Sequence, residues 1–226
     1  MTSAQPLRIA LVEGEIGGLW LAPDNPQAAL VLAHGAGAGM THRSMAALAE
    51  GLAERGVASL RYNFAYMERG SKRPDAPPLA HAAVRAAVTH AAQLAPALPL
   101  FAGGKSFGGR MTSQAQALAP LPGVRGLVFF AFPLHPAGKP GVQRAPHLSD
   151  VRIPMLFLQG TNDALARLEL LRSVVEGLGA RAALALAEGA DHSFHVPARS
   201  GRNDVEVLGE VLDAASAWMV APRPSA

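Results

Sequence analysis

The chain has 226 residues, of which 50% are hydrophobic and 16% are charged, and its formal net charge is +3. A chain of this length and composition is expected to fold as a single globular domain over residues 1–226 and not to remain disordered. Lys and Arg are scattered without runs, which argues against nucleic-acid binding. The absence of cysteine excludes a disulfide framework, a thiolate metal site and a cysteine nucleophile.

The sequence shows no targeting or membrane-spanning pattern. The first residues carry no apolar segment of the secretory type, and no apolar run approaches the roughly 18 residues of a membrane span. We therefore expect a cytoplasmic protein that does not insert into membranes.

Taken in chain order, short apolar runs alternate with amphipathic stretches. Two short strands flank the turn at Gly14. The run over residues 28–33 is uninterrupted, which is typical of a strand buried on both faces. The predicted strands are residues 8–12, 18–22, 28–33, 57–62, 98–102, 126–132, 155–159 and 182–187.

Apolar residues at helical spacing mark the segments between these strands. Asn203 and Glu206 have the spacing of a capping box, and the chain from Pro222 is expected to fray. Irregular structure is predicted at 63–78, 133–154 and 189–200. Five helices are predicted. The first has Met45, Leu48 and Leu52 on one face and ends near Gly56, the second covers 79–95 with Val84, Val88 and Ala91 on one side, and the third covers 107–118. The fourth has the stripe Leu168, Leu171, Val175 and Leu178 and ends at Gly179, and the fifth follows Asn203 with the stripe Val205, Leu208, Leu212 and Ala215.

The alternation of strands and helices indicates βαβ units. The sequence therefore predicts an α/β fold with a mainly parallel central sheet, flanking helices and little or no lid domain. Ligands bind such sheets at the carboxyl ends of the strands. Because the polar clusters of this chain follow predicted strands, we expect them to meet at that edge.

Gly104, Ser106 and Gly108 form a G-x-S-x-G motif between a predicted strand and a predicted helix. A turn this sharp holds its serine in a strained conformation and exposes the hydroxyl at the start of the helix. The motif alone is weak, because about one chain in ten of this size contains it by chance. A glycine-rich turn with an ordinary serine is the alternative interpretation.

A serine nucleophile needs a base to accept its proton and an acid to orient that base. Ser106, Asp163 and His192 occur in the order Ser, Asp, His, and each follows a predicted strand, so we predict that they form a catalytic triad. An N-cap for the next helix is the alternative role for Asp163. Asp150 and Glu188 are poorer candidates for the acid because neither occupies a comparable turn.

His195 is the competing candidate for the base, three residues after His192. The H-x-x-H spacing of this pair also suggests a metal site, but this reading is weak because no third ligand stands out nearby. We therefore assign no metal ligands. A metal-dependent hydrolase that uses both histidines and Asp191 remains an alternative.

The negative oxygen of a tetrahedral intermediate needs two fixed N–H donors. We predict that these are the backbone amides of Phe107, directly after the nucleophile, and of Ala36, in the glycine-rich loop after the strand 28–33. A phosphate-binding loop is the alternative interpretation of that segment. It lacks the Lys-Ser/Thr ending of a P-loop and departs from the G-x-G-x-x-G spacing.

Three basic side chains near these motifs, those of His34, Lys105 and His135, are assigned to substrate binding. Lys105 either biases the pocket towards anionic substrates or points into solvent, and we favour solvent. His135 and Arg144 belong to the segment where a lid usually lies in this fold. They either line the entrance or lie in a solvated loop, and we favour the loop.

Six segments spread over most of the chain carry a family resemblance: HGAGAGMTH (34–42), RYNFAYME (61–68), GGKSFGGRM (103–111), FPLHPAGKP (132–140), LQGTNDAL (158–165) and DHSFHV (191–196). Together they resemble the α/β-hydrolase superfamily and, more narrowly, a small group of predicted hydrolases near the dienelactone hydrolases. The resemblance implies a hydrolase core carried by Ser106, Asp163 and His192. Dienelactone hydrolases use a cysteine nucleophile, so the serine in this chain puts their substrate in doubt.

These observations predict a cofactor-free serine hydrolase (EC 3.1.1) that forms an acyl-enzyme with a small-molecule substrate. Small or accessible carboxylic esters are the first expectation, followed by thioesters, amides and short peptides. A non-catalytic binding or scaffold protein on the same fold is the alternative, since some members of the wider group act in eukaryotic protein complexes without catalysis. The complete order of the three residues argues against a scaffold.

Overall fold

A central β-sheet organises the computed structural model, which describes residues 3–221. The strands are β1 (Gln5–Ala10), β2 (Glu15–Leu21), β3 (Ala28–Ala33), β4 (Val57–Tyr62), β5 (Leu100–Lys105), β6 (Val124–Phe130), β7 (Met155–Gly160) and β8 (Ala182–Ala187). They form an eight-stranded sheet in the order β1-β2-β4-β3-β5-β6-β7-β8. β1 and β2 are antiparallel to their neighbours and β3 to β8 run parallel, which confirms the predicted sheet type.

Helices cover both faces of this sheet. They are α1 (Arg43–Ala53), α2 (Ala65–Glu68), α3 (Pro77–Leu94), α4 (Phe107–Leu118), α5 (Leu168–Leu178) and α6 (Asp204–Val220). One apolar cluster joins the sheet to α3, α4 and α5, and a second joins it to α1 and α6. Every side chain of β3, β4 and β7 is buried, which explains the uninterrupted apolar run of β3 in the sequence.

Several elements have the bounds that the sequence predicts, namely the strands 28–33, 57–62 and 182–187 and the helix 107–118. Other boundaries shift because neighbouring elements decide them. β1 starts three residues earlier than predicted, since it pairs with β2 from Gln5 opposite Trp20. α3 begins at Pro77, because proline is tolerated in the first turn of a helix. The short helix α2 interrupts a segment predicted to be irregular.

The helix α6 starts as predicted but buries a different face. Asn203 accepts hydrogen bonds from the amides of Val205 and Glu206, and the Glu206 carboxylate accepts one from the Asn203 amide, which completes the capping box. Val205 is 82% exposed, so its place in the predicted buried stripe is wrong. It lies ~200° around the helix from the buried Val207. The segment from Pro222, expected to fray, lies outside the described residues.

The segment between β6 and β7, where a lid would lie, contains little regular structure. Its regular element in the described chain is the 3₁₀-helix Pro146–Asp150, which agrees with the prediction of little or no lid domain. Among the described helices, none combines the length and the apolarity that a bilayer crossing requires.

The turn between β5 and α4 packs directly against the end of β3. A β-carbon added to Gly104 would lie 2.3 Å from the carbonyl oxygen of Ala33, and one added to Gly108 would lie 2.5 Å from the same oxygen. Real β-carbons do not approach a carbonyl this closely. Glycine at both positions therefore allows the first turn of α4 to lie against β3.

The substitution Gly108→Ala tests this close packing. Because the added carbon would overlap the Ala33 carbonyl, we expect the free energy of unfolding, measured by urea denaturation, to fall by about 1–3 kcal/mol. Gly177→Ala is the matched control, since nothing lies within 4 Å of its added carbon. We expect this control to leave stability unchanged or to raise it by up to about 1 kcal/mol. Equal losses in the two variants would contradict the packing argument.

Candidate active site

Ser106 occupies the turn between β5 and α4 in an unusual backbone conformation, with φ of 50° and ψ of −115°. Residues with a side chain seldom adopt positive φ, and such strain concentrates at functional sites where the surrounding structure enforces it. The Ser106 amide donates to the carbonyl of Phe130 at 3.0 Å, which holds the turn to β6. The serine is thus locked in place at the start of α4.

Side chains from the carboxyl ends of three parallel strands meet at this serine. The Oγ of Ser106 lies 2.8 Å from Nε2 of His192, and Nδ1 of His192 lies 2.7 Å from Oδ2 of Asp163. Ser106 follows β5, Asp163 follows β7 and His192 follows β8. A carboxylate can only accept from Nδ1–H, which leaves Nε2 free to accept the serine proton.

Asp163 is held by its own hydrogen bonds. Its side chain is fully buried, Oδ1 accepts from the amide of Leu165 at 2.7 Å, and Oδ2 accepts from the side-chain amide of Gln159 in addition to His192. Both oxygens are therefore satisfied, as a buried carboxylate requires. The N-cap position of α5 is taken by Arg167, so the alternative role of Asp163 as a helix cap is wrong.

His195, the competing base, points to a different partner. Its Nδ1 lies 2.9 Å from a carboxylate oxygen of Asp204, and its side chain is 60% exposed. His192 and His195 therefore do not converge on a shared ion. No group of three His, Cys, Asp or Glu side chains in residues 3–221 is arranged to hold a metal.

Two backbone amides near Ser106 are available to a ligand. Ala36 and Phe107 line the same cavity as Ser106, and within residues 3–221 neither amide donates to a protein acceptor. Phe107 is the first residue of α4, where amides lack an intrahelical partner and the helix dipole is positive. These are the two donors that the sequence analysis singled out for an oxyanion.

The loop that carries Ala36 is stabilised by a series of hydrogen bonds to α2 and the segment after it. The amide of Gly37 donates to the hydroxyl of Tyr66 at 3.2 Å, and the amide of Tyr66 donates to the buried carboxylate of Asp75 at 2.9 Å. Arg69 pairs with the other oxygen of Asp75 at 2.5 Å. This chain of contacts connects the loop to α2 and the segment that follows it.

His34 also supports this loop and does not face the cavity. The ring is fully buried, its Nε2 accepts from the amide of Phe64 at 3.1 Å, and its Nδ1 lies 2.8 Å from the carbonyl of Gly35. Burial lowers the pKa of His34, so the ring is neutral at physiological pH. Its assignment to substrate binding is corrected to a structural role.

His135 and Lys105 are likewise not placed in the Ser106 cavity. His135 is buried and its Nε2 accepts from the amide of Arg167 at 2.9 Å, so it anchors a loop beside a neighbouring cavity. Lys105 does not point into solvent, because its ammonium group donates to the carbonyl of His192 and lies 4.5 Å from the centre of the Phe194 ring. Their assignment to substrate binding is therefore corrected as well.

The cavity at Ser106 has a volume of about 410 Å³. Apolar side chains and two guanidinium groups form most of its wall. The lining residues are Ala36, Pro74, Asp75, Pro77, Ser106, Phe107, Arg110, Met111, Pro133, Arg144 and Leu165.

Arg110 and Arg144 make the cavity wall positively charged. The Nε of Arg110 is buried without a hydrogen-bond partner in the described chain, and Arg144 donates to the carbonyl of His135 at 3.2 Å. Burial, followed by the charge of Arg144, lowers the pKa of Arg110, yet an arginine remains protonated at physiological pH. The carboxylate of Asp75 in the same wall is already paired with Arg69. Within residues 3–221, the Nε of Arg110 is therefore left without an acceptor.

Sequence reasoning missed Gln159, Tyr66, Asp75 and Arg110. Gln159 carried a usable signal, because it is a polar residue at the end of an otherwise apolar buried strand. Arg110 lies one helical turn after Ser106, so its proximity to the serine could also have been predicted from the sequence. Tyr66 and Asp75 carried no such signal, since their contact depends on how the segment after β4 folds back.

Comparisons with known proteins agree with this architecture. A family model described as an alpha/beta hydrolase domain matches residues 26–220. An alpha-beta serine hydrolase homologue from Coxiella burnetii is 18% identical, with 95% of this chain and 98% of that chain covered and a TM-score of 0.76. A dienelactone hydrolase from Anabaena variabilis is 20% identical, with 96% of each chain covered and a TM-score of 0.77. A serine hydrolase without lid from Xanthomonas campestris is 20% identical, with 99% of this chain and 98% of that chain covered and a TM-score of 0.75.

The contact between His192 and Asp163 can be tested by NMR. We expect the Nδ1–H proton of His192 to give a strongly downfield resonance, because it is held in a short hydrogen bond to a buried carboxylate. Asp163→Ala should abolish this resonance. The control Asp204→Asn, which alters the carboxylate that contacts His195 and the amide of Val196, should leave it in place. A downfield signal that persists in Asp163→Ala would contradict the geometry.

Proposed function

Because this chain belongs to the alpha/beta hydrolase family, we propose that it is a serine hydrolase that cleaves carboxylic esters with Ser106, His192 and Asp163 as its catalytic triad. The observation that carries the proposal is the unbroken contact from hydroxyl to imidazole to carboxylate, with separations of 2.8 and 2.7 Å. The amides of Ala36 and Phe107, which have no acceptor within residues 3–221, supply the second requirement of acyl transfer. No bound metal or organic cofactor has a role in this chemistry.

The first half of the reaction acylates Ser106. The serine oxygen attacks the ester carbonyl carbon while Nε2 of His192 takes the hydroxyl proton. Asp163 accepts from Nδ1–H, so it keeps the imidazole in the productive tautomer and stabilises the imidazolium that forms. When the carbon–oxygen bond of the ester breaks, His192 returns the proton to the leaving alcohol.

The negative oxygen that develops during attack is stabilised by the amides of Ala36 and Phe107. Such preorganised donors contribute a factor of about 10² to 10³ each in related chemistry. Water then attacks the acyl carbon, with His192 again acting as the base, and Ser106 is released as the alcohol. The same residues therefore serve both halves of the reaction.

The shape of the site favours small or accessible esters. The cavity of about 410 Å³ suits an acyl group of modest size, and no separate lid domain interrupts the described chain between β6 and β7. Thioesters and activated amides share the same acyl chemistry and are further substrates.

The charge of the cavity favours substrates that carry a carboxylate. Arg110 and Arg144 border the same space as Ser106, and the buried Nε of Arg110 has no hydrogen-bond partner among residues 3–221. A carboxylate on the substrate would pair with Arg110 and relieve the repulsion between the two guanidinium groups. Hydrogen bonds to charged groups contribute roughly 1.5–3 kcal/mol, enough for about a 10- to 100-fold preference.

A fluorophosphonate probe tests the proposed nucleophile. Peptide mass spectrometry should locate a single adduct on Ser106. Ser106→Ala should remain unlabelled and lose ester hydrolysis by about 10⁴-fold or more. The control Ser149→Ala changes an exposed serine and should behave as the wild type. Labelling elsewhere, or ester hydrolysis unchanged in Ser106→Ala, would favour a non-catalytic binding or scaffold protein instead.

The preference for a carboxylate can be measured with two esters of equal chain length, mono-4-nitrophenyl glutarate and 4-nitrophenyl pentanoate. We expect Arg110→Gln to lower kcat/KM for the glutarate by roughly 10-fold, because its carboxylate loses a charged donor. The pentanoate should change little. Arg172→Gln, at an exposed position on α5, is the control and should alter neither ester. Equal losses on both esters would contradict an anion-binding role for Arg110.

A further inference from the structure

Lys105 lies between Gly104 and Ser106, yet its side chain lines a different space from the cavity at the serine. It borders a crevice of about 100 Å³ between α1 and α6. The other residues of this crevice include Ser44, Leu48, Phe194 and Leu208, none of which lines the Ser106 cavity. The Lys105 ammonium group is therefore not part of the wall of the Ser106 cavity.

The ammonium group of Lys105 reaches across to the loop after β8. It donates a hydrogen bond to the backbone carbonyl of His192 and lies 4.5 Å from the centre of the Phe194 ring. A cation over an aromatic face is stabilised by the charge distribution of the ring. The residue before the candidate nucleophile thus binds the main chain of the candidate base directly.

This hydrogen bond is distinctive because, within residues 3–221, it is the one that the main chain of His192 makes. Within residues 3–221, no other hydrogen bond reaches the amide or the carbonyl of His192. The neighbouring turn is organised by Asp191, whose carboxylate accepts from the amides of Ser193 at 2.7 Å and His195 at 3.0 Å. That network shapes the loop, and the amide of Asn162 after β7 holds it by donating to the carbonyl of Ala190 at 2.9 Å, but neither contact includes His192 itself.

We propose that Lys105 is a positioning residue that ties the backbone of His192 to the end of β5 and so holds the imidazole at hydrogen-bonding distance from Ser106. The proposal rests on the proposed function, because it assigns Lys105 a role in the same acyl transfer. Two residues adjacent in sequence, Lys105 and Ser106, then hold the main chain and the side chain of the same histidine. A displacement of about 1 Å in a reacting group can lower a rate by about 10²-fold.

The charge of Lys105 makes this contact dependent on pH. Burial lowers the pKa of Lys105 to about 8, and the carboxylates of Asp163 and Asp191 oppose that shift. The ionisable groups that face Lys105 are Asp163 after β7, Asp191 and His192 after β8, and Asp204 at the start of α6. From α1, the neutral hydroxyl of Ser44 lines the same crevice. The charge-assisted bond is present below about pH 8 and weakens as the ammonium group loses its proton.

The lowered pKa of Lys105 also affects stability, and in the opposite direction: the bond to His192 weakens as pH rises, whereas the stability of the fold increases. The pKa of Lys105 falls from 10.5 to about 8 on folding, so the unfolded chain binds more protons between these values. The stability of the wild type should therefore rise with pH over that interval. A neutral side chain of similar length removes a buried charge, so it should not destabilise the fold at neutral pH.

The test compares wild type, Lys105→Met and Lys105→Arg, with Lys72→Met at an exposed lysine as the control. For Lys105→Met we expect kcat towards 4-nitrophenyl esters to fall by about 10- to 100-fold at pH 7 with little change in KM, and its melting temperature to stay at or above the wild-type value. The decline in kcat above pH 8 should be present in the wild type and absent in Lys105→Met. Lys105→Arg, whose charge persists, should recover activity and lack the decline.

Wild-type kcat in Lys105→Met, or a decline above pH 8 that persists in it, would overturn the proposal. A loss of activity that merely follows a lower melting temperature would also overturn it, because that result indicates a general structural role. Fluorophosphonate labelling separates this failure from failure of the proposed function. If wild-type Ser106 is labelled and Lys105→Met is labelled at the same rate, the positioning role fails alone; if wild-type Ser106 is not labelled, the nucleophile assignment fails.

Discussion

The carbonyl oxygen of Ala33, at the end of β3, determines how closely the turn between β5 and α4 can approach the sheet. Gly104 and Gly108 both pass this oxygen at a distance that leaves no room for a β-carbon. Because α4 is held there, Ser106 is forced into positive φ and the amide of Phe107 is presented beside it. The chain that leaves β3 continues directly into the loop that carries Ala36. One close backbone contact thus places the hydroxyl and both candidate oxyanion donors with respect to one another.

Around this contact, the flexible parts of the site are each braced by a polar side chain. Gln159 and the amide of Leu165 hold Asp163, the hydroxyl of Tyr66 holds the Ala36 loop, and Lys105 holds the main chain of His192. These braces are buried or partly buried, so each hydrogen bond is made in surroundings that water does not readily enter. A site assembled from loops after three separate strands needs such support, because loops are more mobile than the strands and helices that they connect.

The fold and the central three residues could be predicted because they depend on local patterns. Uninterrupted apolar runs identify β3 and β8, and parallel strands bring their carboxyl ends to one edge, so the sheet topology places Ser106, Asp163 and His192 along the same edge. The roles of His34, Lys105 and His135 were misjudged because spacing does not tell which way a side chain turns after a strand ends. The buried face of α6 was misjudged at Val205 for a related reason, since contact with the sheet and not periodicity alone decides burial.

We propose that one cavity presents a nucleophile and two oxyanion donors in a single preorganised arrangement. A crystal structure of the protein after reaction with a small alkyl phosphonate tests this most directly, because the phosphoryl oxygen imitates the negative oxygen of the tetrahedral intermediate. We expect a covalent bond from phosphorus to Oγ of Ser106, with the phosphoryl oxygen within hydrogen-bonding distance of the amides of Ala36 and Phe107. A phosphoryl oxygen that points away from both amides, or an adduct on another residue, would contradict it.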